Sequence, residues 1–206
     1  MLKRFQKIIV SAYLLFFSLI THQVMAQAEL QPWGNLAGTR IEGQLMQFET
    51  NISVVFRGWN TIKSTGKEMQ RPKYERKGLQ QIVTTDIDSL HFVETVTDEK
   101  NNSAKINVRA TGRSIQPLDG IYVKLAIPNE FYPTGTLMYD EYEGISLTGN
   151  TETLSYYLRK PVKEIHLMSA ERDLYLNFET PTIVIIKNEK SKKGFMHHAL
   201  YIPIQK

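Results

Sequence analysis

The sequence predicts an all-β protein, an antiparallel two-sheet β-sandwich of the jelly-roll or supersandwich-like kind. Apolar residues recur at every second position in about ten short segments, which is the period of a strand with one buried side. Polar turns separate those segments, as in sandwiches and barrels. No window keeps apolar residues at the three-four spacing of an amphipathic helix over three turns. These three observations together favour strands throughout.

The first long alternating run lies within LQPWGNLAGTRIEGQLMQFETNISVV, residues 30–55. After a turn-rich start, alternate residues of this run are mostly apolar and share one face of an extended chain. They are Met46, Phe48, Thr50, Ile52 and Val54. The pattern predicts a strand over 46–54 with one buried side.

Further strands are predicted where the alternation returns along the chain. They are 81–85, 89–97, 104–110, 121–127, 145–148, 155–158, 164–168, 174–178, 182–187 and 199–204. The run TIVIIK, 182–187, is nearly all apolar and predicts a strand that is covered on both faces. Two long connections interrupt the series. Residues 57–78 predict an exposed loop or a protruding hairpin, and residues 131–144 predict an aromatic loop.

The amino terminus has the three parts of a secretory signal peptide. MLKRFQK is basic, residues 8–20 are free of charge, and small residues follow in VMAQA. The pattern predicts a signal peptide over 1–26, cleaved after Ala26 or Ala28, and a secreted or periplasmic protein. The uncharged run is shorter than the roughly 20 residues of a membrane span. We therefore expect one domain, 27–206, with no membrane span after cleavage.

Charge and cysteine content narrow the class of protein. The chain holds 25 basic and 21 acidic residues, and the three basic residues of 1–26 leave 22 against 21 in the remainder. A net charge of about +1 does not indicate nucleic-acid binding. The absence of cysteine excludes disulfides and thiolate chemistry, and a domain of this length can bury a core without disulfides.

Histidine gives no recognisable metal-binding pattern. His91 and His166 lack a second ligand at a local spacing, and the neighbours His197 and His198 would point to opposite faces of a strand. The sequence therefore predicts no metal and no cofactor.

The acidic aromatic stretch YDEYE, 139–143, is the strongest candidate for chemistry. In extended backbone Glu141 and Glu143 lie on one side about 7 Å apart, within the range of glycosidase carboxylate pairs. Catalytic carboxylates face each other across a cleft, however, whereas these are strand neighbours. The same stretch could hold a cation through clustered oxygens, contact a sugar through Tyr139 and Tyr142, or lie solvated over a sheet edge.

Trp33 and Trp59 are the two tryptophans of the chain. Flat aromatic faces stack on the apolar side of sugar rings, but a buried indole can equally anchor a chain terminus. Trp33 lies between Pro32 and Gly34, which favours the anchor, while the loop 57–78 around Trp59 favours exposure. That loop also carries an excess of basic residues that could contact an anionic polysaccharide or a neighbouring domain, or simply be solvated.

The stretch PWGNLAGTRIEGQLMQFETNISVV, with STGKEMQRPKYERKG and SLHFVETVTDEKNNSAKINVRATG after it, resembles the amino-terminal β-sandwich module of large secreted bacterial glycoside hydrolases. The resemblance covers 30–112, and the remainder shares the strand-rich character. It implies an association with polysaccharide and with a (β/α)₈ catalytic barrel. Such a barrel takes about 250 residues of alternating strands and helices, and these 206 residues do not contain one. No catalytic residue carries over.

The sequence thus favours an exported non-catalytic module of the carbohydrate-active type, whose partner is polysaccharide or a catalytic glycoside hydrolase domain. Candidate ligand contacts are Trp33, Trp59, Tyr139, Glu141, Tyr142 and Glu143. Two alternatives stay open. One is an interface or scaffold domain of a truncated multidomain glycoside hydrolase, and the other is a stand-alone glycosidase that uses the loop carboxylates.

Overall fold

The computed structural model describes residues 27–132, 135–139, 143–146, 155–157, 160–170, 172–190 and 196–204. These residues form antiparallel strands and two short 3-10 segments, Arg57–Trp59 and Asn129–Phe131. The strands are β1 Gln27–Leu30, β2 Leu36–Ile41, β3 Gln44–Gln47, β4 Glu49–Phe56, β5 Ile62–Ser64, β6 Lys73–Lys77, β7 Gln80–Ile87, β8 Leu90–Glu99, β9 Ser103–Gly112, β10 Leu118–Pro128, β11 Thr136–Tyr139, β12 Glu143–Ser146, β13 Ser155–Tyr157, β14 Val162–Met168, β15 Asp173–Thr182, β16 Ile185–Lys190 and β17 Met196–Pro203. The predicted all-β sandwich-like fold is confirmed.

A six-stranded sheet forms the centre of the molecule, in the order β13-β16-β17-β10-β4-β5. Strand β10 lies between β4 and β17, so that Leu125 is opposite Thr50 on one side and Leu200 on the other. Every second residue of each strand points to the same face. One face of this sheet therefore collects the apolar side chains that the alternation predicted.

Two four-stranded sheets pack on that inner face. The meander sheet has the order β6-β7-β8-β9, and the lateral sheet has the order β12-β11-β14-β15. Strand β4 packs on the meander sheet through Ile52 and Val54 against Phe92. Strands β10 and β17 pack on the lateral sheet, where Leu167 of β14 and Leu200 of β17 belong to one apolar cluster. All five side chains are at most 1% exposed, so the core lies between the two layers.

The first three strands form a small amino-terminal sheet, β1-β2-β3, that closes the end of the sandwich over the meander sheet. Leu30 and Leu36 share an apolar cluster with Val83 and Val96. The turn between β1 and β2 closes through a hydrogen bond from the Gly34 N–H to the Gln31 carbonyl oxygen at 2.9 Å.

A carboxyl group is buried beneath this turn. Glu94 is 2% exposed, and its Oε2 has no hydrogen-bond partner among the described residues. A Cβ placed on Gly34 would lie 3.3 Å from that oxygen, so the glycine lets the turn sit directly on the carboxyl group. Burial raises the pKa of Glu94 from 4.5 to about 8, because desolvation disfavours the charged form.

The predicted strand over 46–54 is wrong in its extent, since the structure divides it at Phe48. Strand β3 ends at Gln47 and pairs with β2, while β4 begins at Glu49 and joins the six-stranded sheet. Phe48 lies at the crossing and packs against two apolar clusters. The continuous alternation concealed this change of sheet, because the buried side stays the same across it.

The two predicted loops also contain strands. Residues 57–78 include β5 and β6, which are edge strands of the six-stranded and meander sheets. Residues 131–144 include β11 and the start of β12. Charged β6 has no buried residue, and an edge strand needs only backbone pairing. Periodicity of apolar residues therefore could not reveal it.

The predicted strand 182–187, covered on both faces, is wrong as well. Strand β15 ends at Thr182 in the lateral sheet, and β16 begins at Ile185 in the six-stranded sheet. Between them Ile183 is 44% exposed while Val184 is buried. The run is apolar because the chain passes here from one sheet to the other, and each sheet buries apolar side chains of this segment. Within the described ranges, no helix has the length and apolar character needed to cross a bilayer.

Candidate functional site

The candidate functional site is the outer face of the six-stranded sheet, the face turned away from the two four-stranded sheets. Alternation brings aromatic and charged residues of three strands to this face. Tyr122 of β10 lies opposite Ser53 of β4, and Lys124 of β10 lies opposite Tyr201 of β17. Tyr122, Tyr201 and Ser53 are at most 7% exposed. Buried side chains on the outside of a sandwich layer distinguish this face from an ordinary solvated one.

Trp59 lies on top of this face and forms an aromatic cluster with two tyrosines. The ring centroids of Trp59 are 5.7 Å from those of Tyr122 and 5.1 Å from those of Tyr201. The two tyrosine rings are themselves 5.7 Å apart and perpendicular. Edge-to-face contacts of this kind are favourable beyond the area that they bury. They hold the indole in one orientation while Trp59 stays half-buried.

The backbone before Trp59 explains how the indole reaches the sheet. Gly58 and Trp59 have φ angles of 77° and 59°, which turn the chain sharply through the left-handed region. The Gly58 N–H donates to Oδ2 of Asp119 at 2.8 Å. A positive φ at a tryptophan is uncommon and persists when surrounding contacts favour it. Here the aromatic cluster and the Asp119 bond supply those contacts.

A lysine lies against the indole. The Lys187 Nζ is 3.5 Å from the centroid of the Trp59 ring and 5.7 Å from that of Tyr201. Burial lowers the pKa of Lys187, and Lys124 also lowers it, while Glu189 opposes the change. The lysine therefore lies over one face of the indole as a partly desolvated cation, a cation–π contact.

Glu189 lies at the centre of a polar network next to the cluster. Its Oε1 accepts a hydrogen bond from the Tyr201 hydroxyl at 2.6 Å, its Oε2 accepts one from the Lys124 Nζ at 2.5 Å, and the same Oε2 is 3.5 Å from the His197 Nε2. Burial alone would raise the pKa of Glu189, but the nearby His197 and the bonds from Lys124 and Tyr201 outweigh it and lower the pKa to about 2. A carboxylate so stabilised is a poor proton donor or acceptor at neutral pH, so its role is to orient its neighbours.

The two adjacent histidines lie on opposite faces of β17, as the alternation predicted. His197 faces Glu189 on the outer face, and His198 is fully buried on the inner side. The His198 Nδ1 is 2.7 Å from Oδ1 of Asn188. Burial, and then the neighbouring His197, lowers the pKa of His198 to about 4.

The other predicted site residues do not join the aromatic cluster. Trp33 is half-buried within the turn between β1 and β2, at the amino-terminal sheet. Tyr139 is half-buried and packs against the core, directly opposite Glu143 in the β11–β12 hairpin. Glu143 is exposed and pairs with the Lys160 Nζ at 3.0 Å. Glu141 and Tyr142 lie outside the described residues, as does the carboxylate pair as a unit.

The basic residues of 57–78 are partly neutralised by acidic neighbours. The Lys63 Nζ is 2.7 Å from Oδ1 of Asp88, and the Lys77 Nζ is 2.8 Å from Oε2 of Glu75. Such exposed pairs contribute little to stability, but they leave less free positive charge than the sequence suggests. In the part of the chain that the structure describes, no group of three or more His, Asp or Glu side chains is placed to hold a metal ion.

Sequence reasoning found Trp59 and missed its partners Tyr122, Tyr201 and Lys187. The signal was present, because Tyr122 and Lys124 alternate with the inward residues of β10 and so had to share the opposite face. A pattern of alternation defines the outward side of a strand as well as its buried side. An exposed aromatic was missed as well: Tyr175 is 56% exposed and stacks on His166 with ring centroids 3.8 Å apart.

Comparison with protein-family models, with curated proteins and with solved structures gives no match for this chain. The resemblance to a glycoside hydrolase module therefore stays a prediction.

Proposed function

We propose that the protein is an exported, non-catalytic β-sandwich module that binds polysaccharide on the outer face of the six-stranded sheet. The observation that carries the proposal is the half-buried Trp59 on this outer face, whose indole is held by Tyr122 and Tyr201 at centroid distances of 5.7 and 5.1 Å. A rigid aromatic surface loses little conformational freedom when a ligand stacks on it. A rigid aromatic surface therefore suits the weakly hydrophobic faces that successive sugar units of a polysaccharide present.

Polar groups around the indole suit the rest of a sugar. The Lys187 ammonium lies over one face of the Trp59 ring and can donate to the ring or hydroxyl oxygens of a sugar that binds against the rest of the indole. Its positive charge favours glycans that carry carboxylate or sulfate groups. Glu189 accepts one hydrogen bond on each oxygen, from Tyr201 and from Lys124, and so it holds these two side chains in place.

The non-catalytic character is part of the same proposal. It is supported by the state of Glu189, whose pKa of about 2 makes it unsuited to proton transfer near pH 7. It is also supported by Glu143, which is exposed and paired with Lys160, whereas catalytic carboxyl groups face each other across a cleft.

The proposal is tested by affinity electrophoresis or calorimetry of residues 27–206 against neutral, carboxylated and sulfated polysaccharides. We expect binding to at least one of them, stronger for the anionic ones at low salt, and loss of that binding in Trp59→Ala. Tyr175→Ala is the control, because Tyr175 is a more exposed aromatic on a different sheet. Absence of binding across the panel contradicts the function, and loss in Tyr175→Ala but not in Trp59→Ala contradicts the placement of the site.

A further inference from the structure

Strand β1 is fastened to the meander sheet through the backbone of one residue, Ala28. The Ala28 N–H donates to Oδ1 of Asp98 at 2.8 Å, and the Ala28 carbonyl oxygen accepts from Nε2 of Gln81 at 2.9 Å. Asp98 is 5% exposed, Gln81 is 4% exposed and Ala28 is 1% exposed. Both side chains reach across from another sheet, so these are tertiary bonds and not the ladder of β1.

Both bonds satisfy groups that have little access to water. Buried carboxylates and amides are costly when they lack a partner. A chain that began at Glu29 would lack the Ala28 N–H and carbonyl. Oδ1 of Asp98 would then lose its donor, and Nε2 of Gln81 would lose its acceptor. It would also lose the pairing of Gln27 with Arg40 and of Ala28 with Thr39.

The sequence allows cleavage after Ala26 or after Ala28, since both present small residues at the last and third-last positions of the leader. We propose that the leader is removed between Ala26 and Gln27, and that Gln27 and Ala28 belong to the folded protein. This rests on the export part of the proposed function and is independent of sugar binding.

The reaction is hydrolysis by a membrane-bound signal peptidase. Water adds to the Ala26 carbonyl carbon, and the bond from that carbon to the Gln27 nitrogen breaks. Ala26 leaves with a carboxylate that holds the oxygen of water, and both protons of water go to the new amino group of Gln27, which becomes an ammonium.

The first test is intact mass and amino-terminal sequencing of the protein recovered after expression of residues 1–206 in a Gram-negative host. We expect the mature chain to begin at Gln27, either as the free amine or cyclised to pyroglutamate. A chain that begins at Glu29 overturns the proposed position while leaving export intact. A chain that still begins at Met1 overturns export, and the position with it.

The second test compares residues 27–206 with residues 29–206, each released from a removable tag so that no foreign residue precedes it. We expect the shorter chain to unfold on the order of 5 °C lower or more, since about 1 kcal/mol shifts the melting temperature of a chain of this size by about 2–4 °C. Equal melting temperatures overturn the proposal.

Asp98→Ala shows whether the Ala28 bond is the cause. In residues 27–206 we expect it to lower the melting temperature. In residues 29–206 we expect it to have no effect or to raise the melting temperature, because it removes a buried carboxylate that has lost its partner. The same decrease in both chains would mean that Asp98 acts without Ala28, and would overturn the proposal.

Discussion

Glu94 makes the stability of this protein depend on pH in a direction opposite to that of most carboxylates. The folded protein keeps the Glu94 proton up to about pH 8, whereas the unfolded chain releases it near pH 4.5. Between these values the folded state binds more protons, so its stability falls as pH rises. Each unit between the two pKa values is worth about 1.4 kcal/mol, which gives about 5 kcal/mol in full and about 3 kcal/mol already lost at pH 7.

His198 has the opposite effect over part of this range. Its pKa is lowered from 6.5 to about 4 in the folded protein, so its contribution to stability is full above pH 6.5 and is lost as pH falls toward 4. Between about pH 4.5 and 6.5 the two effects cancel. The decrease caused by Glu94 is therefore visible mainly between pH 6.5 and 8.

Glu94→Gln tests this account, because the amide keeps the shape of the protonated acid and does not ionise. We expect the free energy of unfolding, measured by urea titration, to be nearly constant between pH 6.5 and 8 in the variant, and to exceed that of the parent protein by about 3 kcal/mol at pH 7. Glu99→Gln is the matched control at the exposed end of the same strand, and we expect it to keep the parent pH dependence. If Glu94→Gln loses stability between pH 6.5 and 8 as steeply as the parent, the reasoning is refuted.

Two further substitutions probe the outer face and the amino-terminal sheet. Tyr201→Phe removes the hydroxyl that donates to Glu189 at 2.6 Å. We expect the free energy of unfolding in urea at pH 7 to fall by about 1.5–3 kcal/mol, and the Glu189 pKa, measured by NMR titration, to rise. An unchanged free energy and an unchanged pKa would show that the bond contributes nothing. Gly38→Ala would place a Cβ 2.3 Å from a backbone oxygen of β3 at a φ of 143°, whereas Gly43→Ala meets no atom within 4 Å at a φ of 83°. We expect Gly38→Ala to lower the thermal midpoint well below that of Gly43→Ala, and equal midpoints would contradict the close approach of β2 and β3.

The fold class could be predicted from the sequence because burial on one side of a strand leaves a period of two. In β10 the inward positions carry Leu125 and Ile127, which are buried as predicted. Where a strand is held by backbone pairing at an edge, the side chains carry no such period. Charged β6 was therefore missed.

Changes of sheet were also beyond the sequence pattern. At Phe48 and at Ile183 the chain leaves one sheet and enters another, yet the run of residues on both sides reads as a single strand. Period-two alternation reports which side of the chain is buried. It does not report which neighbour the backbone pairs with.

The candidate site was predicted only in part. Trp59 was identified from its residue type, but Tyr201 and Lys187 come to it from strands about 140 and 130 residues away in the chain, and the pairing of β10, β16 and β17 brings them together. Their meeting depends on strand register, which no local pattern encodes.

The measurement that tests the central claim most directly is the fluorescence of Trp59 during titration with the glycan that binds best. Trp33→Phe leaves Trp59 as the single indole of the chain, so any change in emission reports on the outer face. We expect the emission of this variant to shift saturably, with the same midpoint as the calorimetric titration. Binding by calorimetry without any change in Trp59 emission would contradict the claim that the aromatic face holds the ligand.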